Sequence, residues 1–198
     1  GANNVALGVS ALASNTTASN STAVGYQACY SSNSDYCVGI GYKALYANGV
    51  DRNVAVGSFS LMANTSGASN TAVGNGAAST NTSGSYLVAF GRDALGANTT
   101  GSYNTAIGVS ALVGNTTAAN NTAVGYQAGY SNQTGAYNTF VGVQAAYTNT
   151  ASNNNAFGWG ALYSNTSGTH NTAIGSGQSG SFNSALAINS TGSYNTAL

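Results

Sequence analysis

A five-residue phrase, Asn-Thr-Ala-Val-Gly and its variants, recurs every 16 or 17 residues along nearly the whole chain. A repeat this short cannot bury its own apolar side chains, so successive repeats must stack on one another. Position −1 of the phrase is always large and apolar, position −2 is nearly always alanine, and position −3 is usually threonine or valine. We number each repeat from its closing glycine, position 0, which falls at Gly8, Gly25, Gly41, Gly57, Gly74, Gly91, Gly108, Gly125, Gly142, Gly158 and Gly175.

The alternation from position −3 to position −1, ended by glycine, predicts one short β-strand in each repeat. Side chains at −1 and −3 share one face of such a strand, and −2 takes the other. We expect the large −1 residues to form the core ladder, and the small −2 column to face a closely packed neighbouring chain or layer. A second apolar pair at +3 and +4, such as Ala11-Leu12, predicts a second short strand before a polar turn.

Stacking these repeats predicts an all-β fold, a parallel β-solenoid or β-roll of about twelve 16–17-residue coils. After Gly175 the interval drops to twelve residues, at Asn183-Ser184-Ala185-Leu186 and again at Asn195–Leu198, so we expect the last two coils to be shortened. Residues 1–198 then form a single repeat domain, either a segment of a longer fibre or one subunit of a filament. Coils about 4.8 Å apart would make a rod roughly 55 Å long. Asparagines recurring at −4 are expected to hydrogen-bond along the rod: Asn53, Asn70, Asn104, Asn121, Asn138, Asn171 and Asn183.

The chain is almost uncharged, which excludes several classes of function. Its 198 residues include three Lys plus Arg, three Asp plus Glu and no proline, so 3% are charged against about 25% in ordinary soluble proteins. Nucleic-acid binding needs clustered basic residues, which are missing. No apolar run approaches the ~20 residues of a membrane helix, so we expect no membrane insertion in this segment.

The pattern also predicts that the protein is not an enzyme and has no cofactor or metal. His170, the one histidine, takes a −5 place that tyrosine holds in other repeats. Asp35, Asp51 and Asp93 are scattered, and nothing suggests the three convergent side chains of a catalytic triad.

Asn-x-Ser/Thr triplets recur at position +7 and are candidate N-glycan acceptors on surface turns. Asparagine and threonine are also good turn residues, and the neighbouring hydroxyls are alternative O-linked sites. The +7 candidates are Asn15, Asn64, Asn81, Asn98, Asn115, Asn132 and Asn165, and further triplets begin at Asn20, Asn120 and Asn189.

Cys29 and Cys37 are candidates for a disulfide across one turn, as in proteins of an oxidising compartment. The alternative is a pair of small buried residues, because Cys29 stands where other repeats have leucine, alanine or glycine. Tyrosines also recur in register, at +5, +1 and −5. They either stack on sugar rings or cover the corners of the roll with their hydroxyls in water.

The phrase Asn-Thr-Ala-Val-Gly-x-x-Ala resembles the Ser-Val-Ala-Ile-Gly-x-x-Ser coil of YadA-like trimeric autotransporter adhesin heads. The resemblance covers nearly the whole chain, from Asn4 to Leu198. It implies a left-handed parallel β-roll with three chains side by side on a cell surface. This chain departs from the family in its longer coils and in the threonines that often stand at −3 in place of valine.

These features together predict an extracellular or cell-surface structural fibre or adhesin-type rod. Its expected partners are other copies of itself, as a trimer or filament, with glycans or a host surface as further candidates. One alternative is an ice-binding β-solenoid, which would need its threonines outward on a flat face. The expected inward direction of the −3 threonines counts against that alternative. A phage tail-fibre segment would share the fold and differ only in its carrier.

Overall fold

The computed structural model describes residues 1–177 and 184–198, and in this part of the chain all regular structure is β-strand. Twelve strands pair in parallel, in sequence order, to form one sheet. The predicted all-β parallel β-solenoid is therefore confirmed. The strands are β1 (Val5–Leu7), β2 (Thr22–Val24), β3 (Val38–Ile40), β4 (Val54–Val56), β5 (Thr71–Val73), β6 (Val88–Phe90), β7 (Thr105–Ile107), β8 (Thr122–Val124), β9 (Thr139–Val141), β10 (Asn155–Phe157), β11 (Thr172–Ile174) and β12 (Thr196–Ala197).

Each strand residue pairs with the residue at the same repeat position in the next coil. Ala106 of β7, for example, pairs with Ala123 of β8, and the threonines before them pair in the same way. A shared period makes this the one register in which every position stacks on its own kind. The fold is therefore a set of parallel side-chain columns.

The two shortened final coils are instead one longer coil. Thr172 of β11 pairs with Thr196 of β12, which is 24 residues further along. Leu162 N donates to Ala185 O at 3.0 Å, the contact that +4 residues make with +3 residues in other coils. Ala185 and Leu186 therefore occupy positions +3 and +4 rather than −2 and −1. Asn183, expected at −4, lies outside the described residues.

The core lies behind the alanine column, so the prediction of an inward-facing −1 column is wrong. Ala106 and Ala123 at −2 are fully buried, whereas Leu7 and Phe90 at −1 are 66% and 55% exposed. The coil is narrow, and across its interior the −2 residue contacts the +4 side chain, which is usually leucine. Only alanine fits at −2 beside that leucine, and the larger −1 residues must point outward.

The predicted second strand is a turn with alternating left-handed residues. Ser110 at +2 and Leu112 at +4 have positive φ angles, 57° and 48°. In an extended strand neighbouring side chains point to opposite faces, but here both Ala111 and Leu112 are buried. This backbone gives one coil two consecutive inward side chains. Coil-to-coil hydrogen bonds continue through it, as in Leu112 N to Ala128 O at 2.9 Å.

The −4 asparagines stack and hydrogen-bond along the rod, as predicted. Asn121 N donates to Asn104 Oδ1 at 2.9 Å, and Asn138 N donates to Asn121 Oδ1 at 3.0 Å. The side-chain amide of Asn121 also donates to Gly135 O at 2.8 Å. These asparagines are buried, so their amides satisfy main-chain groups that water cannot reach.

A second asparagine ladder, at +7, lies inside the solenoid and was not predicted. Asn98 Nδ2 donates to Asn81 Oδ1 at 2.8 Å and to Gly101 O at 3.0 Å. Asn115 Nδ2 in turn donates to Asn98 Oδ1 at 2.7 Å. The amides of Asn98 and Asn115 thus each link two coils and close the turn that follows them.

We expect Asn98→Ala to lower the free energy of unfolding by about 3 kcal/mol, because it leaves buried polar atoms without partners at about 1–3 kcal/mol each. Among the described residues, Gly101 O accepts a side-chain hydrogen bond from Asn98 alone, whereas Gly84 O accepts from both Asn70 and Asn81. Asn81→Ala should therefore cost about 1 kcal/mol less than Asn98→Ala. Equilibrium denaturation of the two variants measures this difference, and equal losses would contradict it.

Candidate interaction surfaces

The outward side of the sheet carries a continuous apolar column. We call this side, made of the −3 and −1 residues of β1–β11, the outer sheet face. Isolated soluble domains seldom expose an apolar strip of this length, roughly 50 Å at 4.8 Å per strand. The −1 residues classed as exposed are Leu7, Ile40, Phe90, Ile107, Phe157 and Ile174.

The −3 column lies on the same outer sheet face. Its sharing of a face with −1 was predicted, but the expectation that this face is the core is wrong. Thr105, Thr122 and Thr139 follow one another on consecutive strands and are half-buried. The threonines are interrupted at Val5, Val38, Val54, Val88 and Asn155.

Tyrosines stack on one another along the rod. The ring centroids of Tyr130 and Tyr147 are 4.9 Å apart, and those of Tyr147 and Tyr163 are 5.1 Å apart. Tyr86 and Tyr103 form a similar pair at 5.0 Å. Burial, followed by the neighbouring tyrosines, raises the pKa of Tyr147. A ring covered on both faces, such as that of Tyr147, has no face left for a sugar.

Six of the seven +7 candidates for N-glycosylation are fully buried, and Asn15 is half-buried. Their Nδ2 atoms, which would carry the glycan, donate hydrogen bonds inside the solenoid, so the folded coil leaves no room for a sugar there. Asn189 is half-buried and donates to Gly192 O at 2.9 Å. Asn20 and Asn120, both at −5, are exposed. The six buried candidates are Asn64, Asn81, Asn98, Asn115, Asn132 and Asn165.

Cys29 and Cys37 are both free thiols and both buried. The structure therefore agrees with two small buried residues rather than with the candidate disulfide. Cys37 takes the −4 place of an asparagine, and Asn48 Nδ2 donates to its Sγ at 3.2 Å. Burial, with a smaller contribution from Cys37, raises the pKa of the Cys29 thiol to about 12. A thiol with this pKa stays protonated and unreactive at neutral pH.

The charged residues and the histidine occupy scattered repeat positions, and the neighbours Arg92 and Asp93 form an exposed ion pair, Nε to Oδ2 at 3.5 Å. Ser19 N donates to Asp35 Oδ1 at 2.6 Å and Asp35 N donates to Asp51 Oδ1 at 2.9 Å, contacts that serine hydroxyls make at −6 in other coils. The His170 ring stacks on Tyr194 with centroids 4.8 Å apart. These side chains support the coil stack locally.

No family model, no curated protein and no solved structure matches this chain. The resemblance to trimeric adhesin heads therefore stays a prediction from the repeat pattern. Among the described residues, no helix has the length and apolar character needed to cross a membrane.

Proposed function

We propose that this chain is a segment of an extracellular structural fibre or adhesin-type rod at a cell surface, in which copies pack side by side through the outer sheet face. The observation that carries the proposal is the apolar −1 column, which runs along the solenoid without a charged or polar interruption. Burying each large side chain of this column would contribute about 1.5–3 kcal/mol.

A second copy of this chain suits the outer sheet face better than an unrelated partner does. Two copies side by side present −1 columns with the same spacing, so their side chains mesh at every coil. The face has no charged residue with which to select a partner of opposite charge. Phe90 and Phe157 are the largest side chains of the column, and we expect them to anchor the contact. The resemblance to adhesin heads implies three chains.

Sedimentation velocity of the purified chain tests this assembly. We expect a discrete oligomer, and we expect the double variant Phe90→Ser, Ile107→Ser to raise its dissociation constant by at least about 100-fold, the equivalent of ~3 kcal/mol. Tyr137→Ser removes a similar exposed ring outside the outer sheet face and should leave the oligomer unchanged. A parent chain that stays monomeric at high concentration would contradict the proposal.

The outward direction of the −3 threonines favours ice binding as a second candidate function. It removes the objection that these hydroxyls point into the core, and the consecutive Thr105, Thr122 and Thr139 make a regular row. The protruding Phe90 and Phe157 and the interrupted threonine column make the outer sheet face less flat and less regular than an ice plane requires. We therefore rank the fibre first.

Thermal hysteresis distinguishes the two candidates, because an outer sheet face buried between chains cannot contact ice. The fibre predicts an oligomer without hysteresis. A monomer with measurable hysteresis, reduced at least about tenfold by Thr122→Lys, would assign the face to ice instead. A lysine there places a long charged side chain in the middle of the row.

A further inference from the structure

Position +9 is occupied by a hydroxyl residue in every coil that has this position. These residues, which we call the +9 hydroxyl column, are Thr17, Ser66, Ser83, Thr100, Thr117, Thr134, Ser167 and Thr191. The three 16-residue coils lack the position, because in them only one residue, instead of two, separates +7 from the residue that corresponds to +10. In the coil after Gly142, Asn149 Nδ2 donates to Ala151 O two residues on, whereas Asn98 donates to Gly101 O three residues on. The solenoid can therefore close a coil without a +9 residue.

Apart from that of Thr17, the +9 hydroxyls make no hydrogen bond between coils in the described part of the chain. All eight side chains are exposed. Their main chain does pair, as in Ser66 N to Thr82 O at 2.9 Å. Of the eight hydroxyls, only that of Thr17 makes a hydrogen bond to another described residue, Asn33, at 3.2 Å. The preceding +8 column differs, because Thr82 Oγ1 donates to Thr99 O at 3.0 Å.

Turn chemistry alone does not explain why only serine and threonine occur there. Asparagine, aspartate and glycine are equally good turn residues, and the chain is rich in asparagine and glycine. The exposed position −5, close by in the same segment, varies among asparagine, tyrosine, arginine, serine and histidine. A constant hydroxyl at a dispensable, exposed position points to a use for the hydroxyl oxygen itself.

We propose that the +9 hydroxyl column is a ladder of O-glycosylation sites. The hydroxyl oxygen attacks the anomeric carbon of a nucleotide-activated sugar held by a glycosyltransferase. The new carbon–oxygen bond forms as the bond from the anomeric carbon to phosphate breaks. The hydroxyl proton passes to a base of the transferase, and the nucleoside diphosphate leaves.

The column suits a rod with this surface. A net charge of zero and an exposed apolar column favour uncontrolled association, and a row of sugars hydrates the rod without adding charge. Ser66, Ser83, Thr100, Thr117 and Thr134 stand on five consecutive coils, so their acceptors repeat about every 4.8 Å. Because the +9 residues lie outside the outer sheet face, this proposal does not depend on the proposed assembly.

Site-resolved mass spectrometry of the protein purified from the cells that naturally produce it tests the proposal. Chymotrypsin, which cleaves after aromatic residues, suits a chain with only three Lys plus Arg, and electron-transfer fragmentation keeps sugars attached. We expect hexose or hexosamine mass increments on Ser83 and Thr100 and none on the +8 residues Thr82 and Thr99. Unmodified +9 residues, or equal modification at +8, would overturn the proposal.

A five-site variant separates a modification role from a structural one. Alanine at residues 66, 83, 100, 117 and 134 should remove the increments from those coils in the native cells. Made without glycosylation, the same variant should melt within about 3 °C of the unglycosylated parent, because its hydroxyls hold no internal hydrogen bond. A fall of more than about 10 °C would show that the hydroxyls stabilise the fold and would overturn the proposal.

Discussion

Gly108→Ala is expected to separate two neighbouring coils and to lower the free energy of unfolding by more than about 4 kcal/mol, the range of exceptional single mutations. Gly108 has a φ of +133°, a conformation that L-residues rarely adopt. An added Cβ would lie 2.6 Å from Gly125 C and closer still to its carbonyl oxygen. Both atoms belong to the backbone of the next coil, so no side-chain rotation relieves the clash.

Gly96→Ala is the matched control for Gly108→Ala. Gly96 lies at +5, where Val113 and Tyr130 stand in the next two coils. The atom nearest to a Cβ added at Gly96 would be Asp93 O, at 3.1 Å. We expect a change below about 1 kcal/mol, since the reduced entropy of the unfolded chain offsets a small local shift. Guanidinium denaturation followed by circular dichroism compares the two. A Gly108→Ala chain that unfolds with the parent would mean that the coils are not stacked through this glycine column.

The period of the sequence was enough to predict the architecture. Because every coil repeats the same phrase, apolar side chains meet apolar side chains in every coil only when identical positions stack. The parallel pairing of Ala106 with Ala123 and the asparagine contacts from Asn104 to Asn138 follow from that rule. The 24-residue coil before β12 escaped prediction because Ala185-Leu186 at +3 and +4 has the same apolar character as a strand phrase.

The direction of the strand faces could not be read from hydrophobicity alone. Alternation shows that −1 and −3 share a face, but it does not show which face is inside. By size alone the −1 residues belong in the core, but the left-handed turn at +2 and +4 brings Ala111 and Leu112 into the interior and leaves no width for them. The Asn-x-Ser/Thr triplets have the sequence of surface glycan acceptors. The asparagine of such a triplet, for example Asn98, is nevertheless buried and closes the turn from inside.

The two exceptions in the −2 alanine column contained a signal for the true core. Gly39 at −2 lies next to Cys29 at +4, and a Cβ on Gly39 would be 2.5 Å from the Cys29 Sγ. Phe140 at −2 lies next to Gly129 at +4, where a Cβ would be 2.7 Å from the Phe140 ring. Where +4 is glycine, −2 is large, and where +4 is cysteine, −2 has no side chain. Such compensation is expected when two positions fill one interior space.

Restoring the usual pair at this site tests that packing. Phe140 is fully buried, so Phe140→Ala should leave a cavity and cost about 3–5 kcal/mol. Gly129→Leu alone should cost about 1–3 kcal/mol, because the new side chain collides with the Phe140 ring and with Leu112. The double variant has the leucine and alanine of the other coils, so we expect it to unfold within about 1 kcal/mol of the parent.

A double-mutant cycle by equilibrium denaturation measures this coupling. The backbone needs no change for it, because the φ of +62° at Gly129 is close to the +48° at which Leu112 stands one coil earlier. Interior packing between −2 and +4 therefore requires a large favourable interaction energy between the two substitutions. Additive losses would mean that Phe140 and residue 129 do not share one space, and that the alanine column is not the wall of the core.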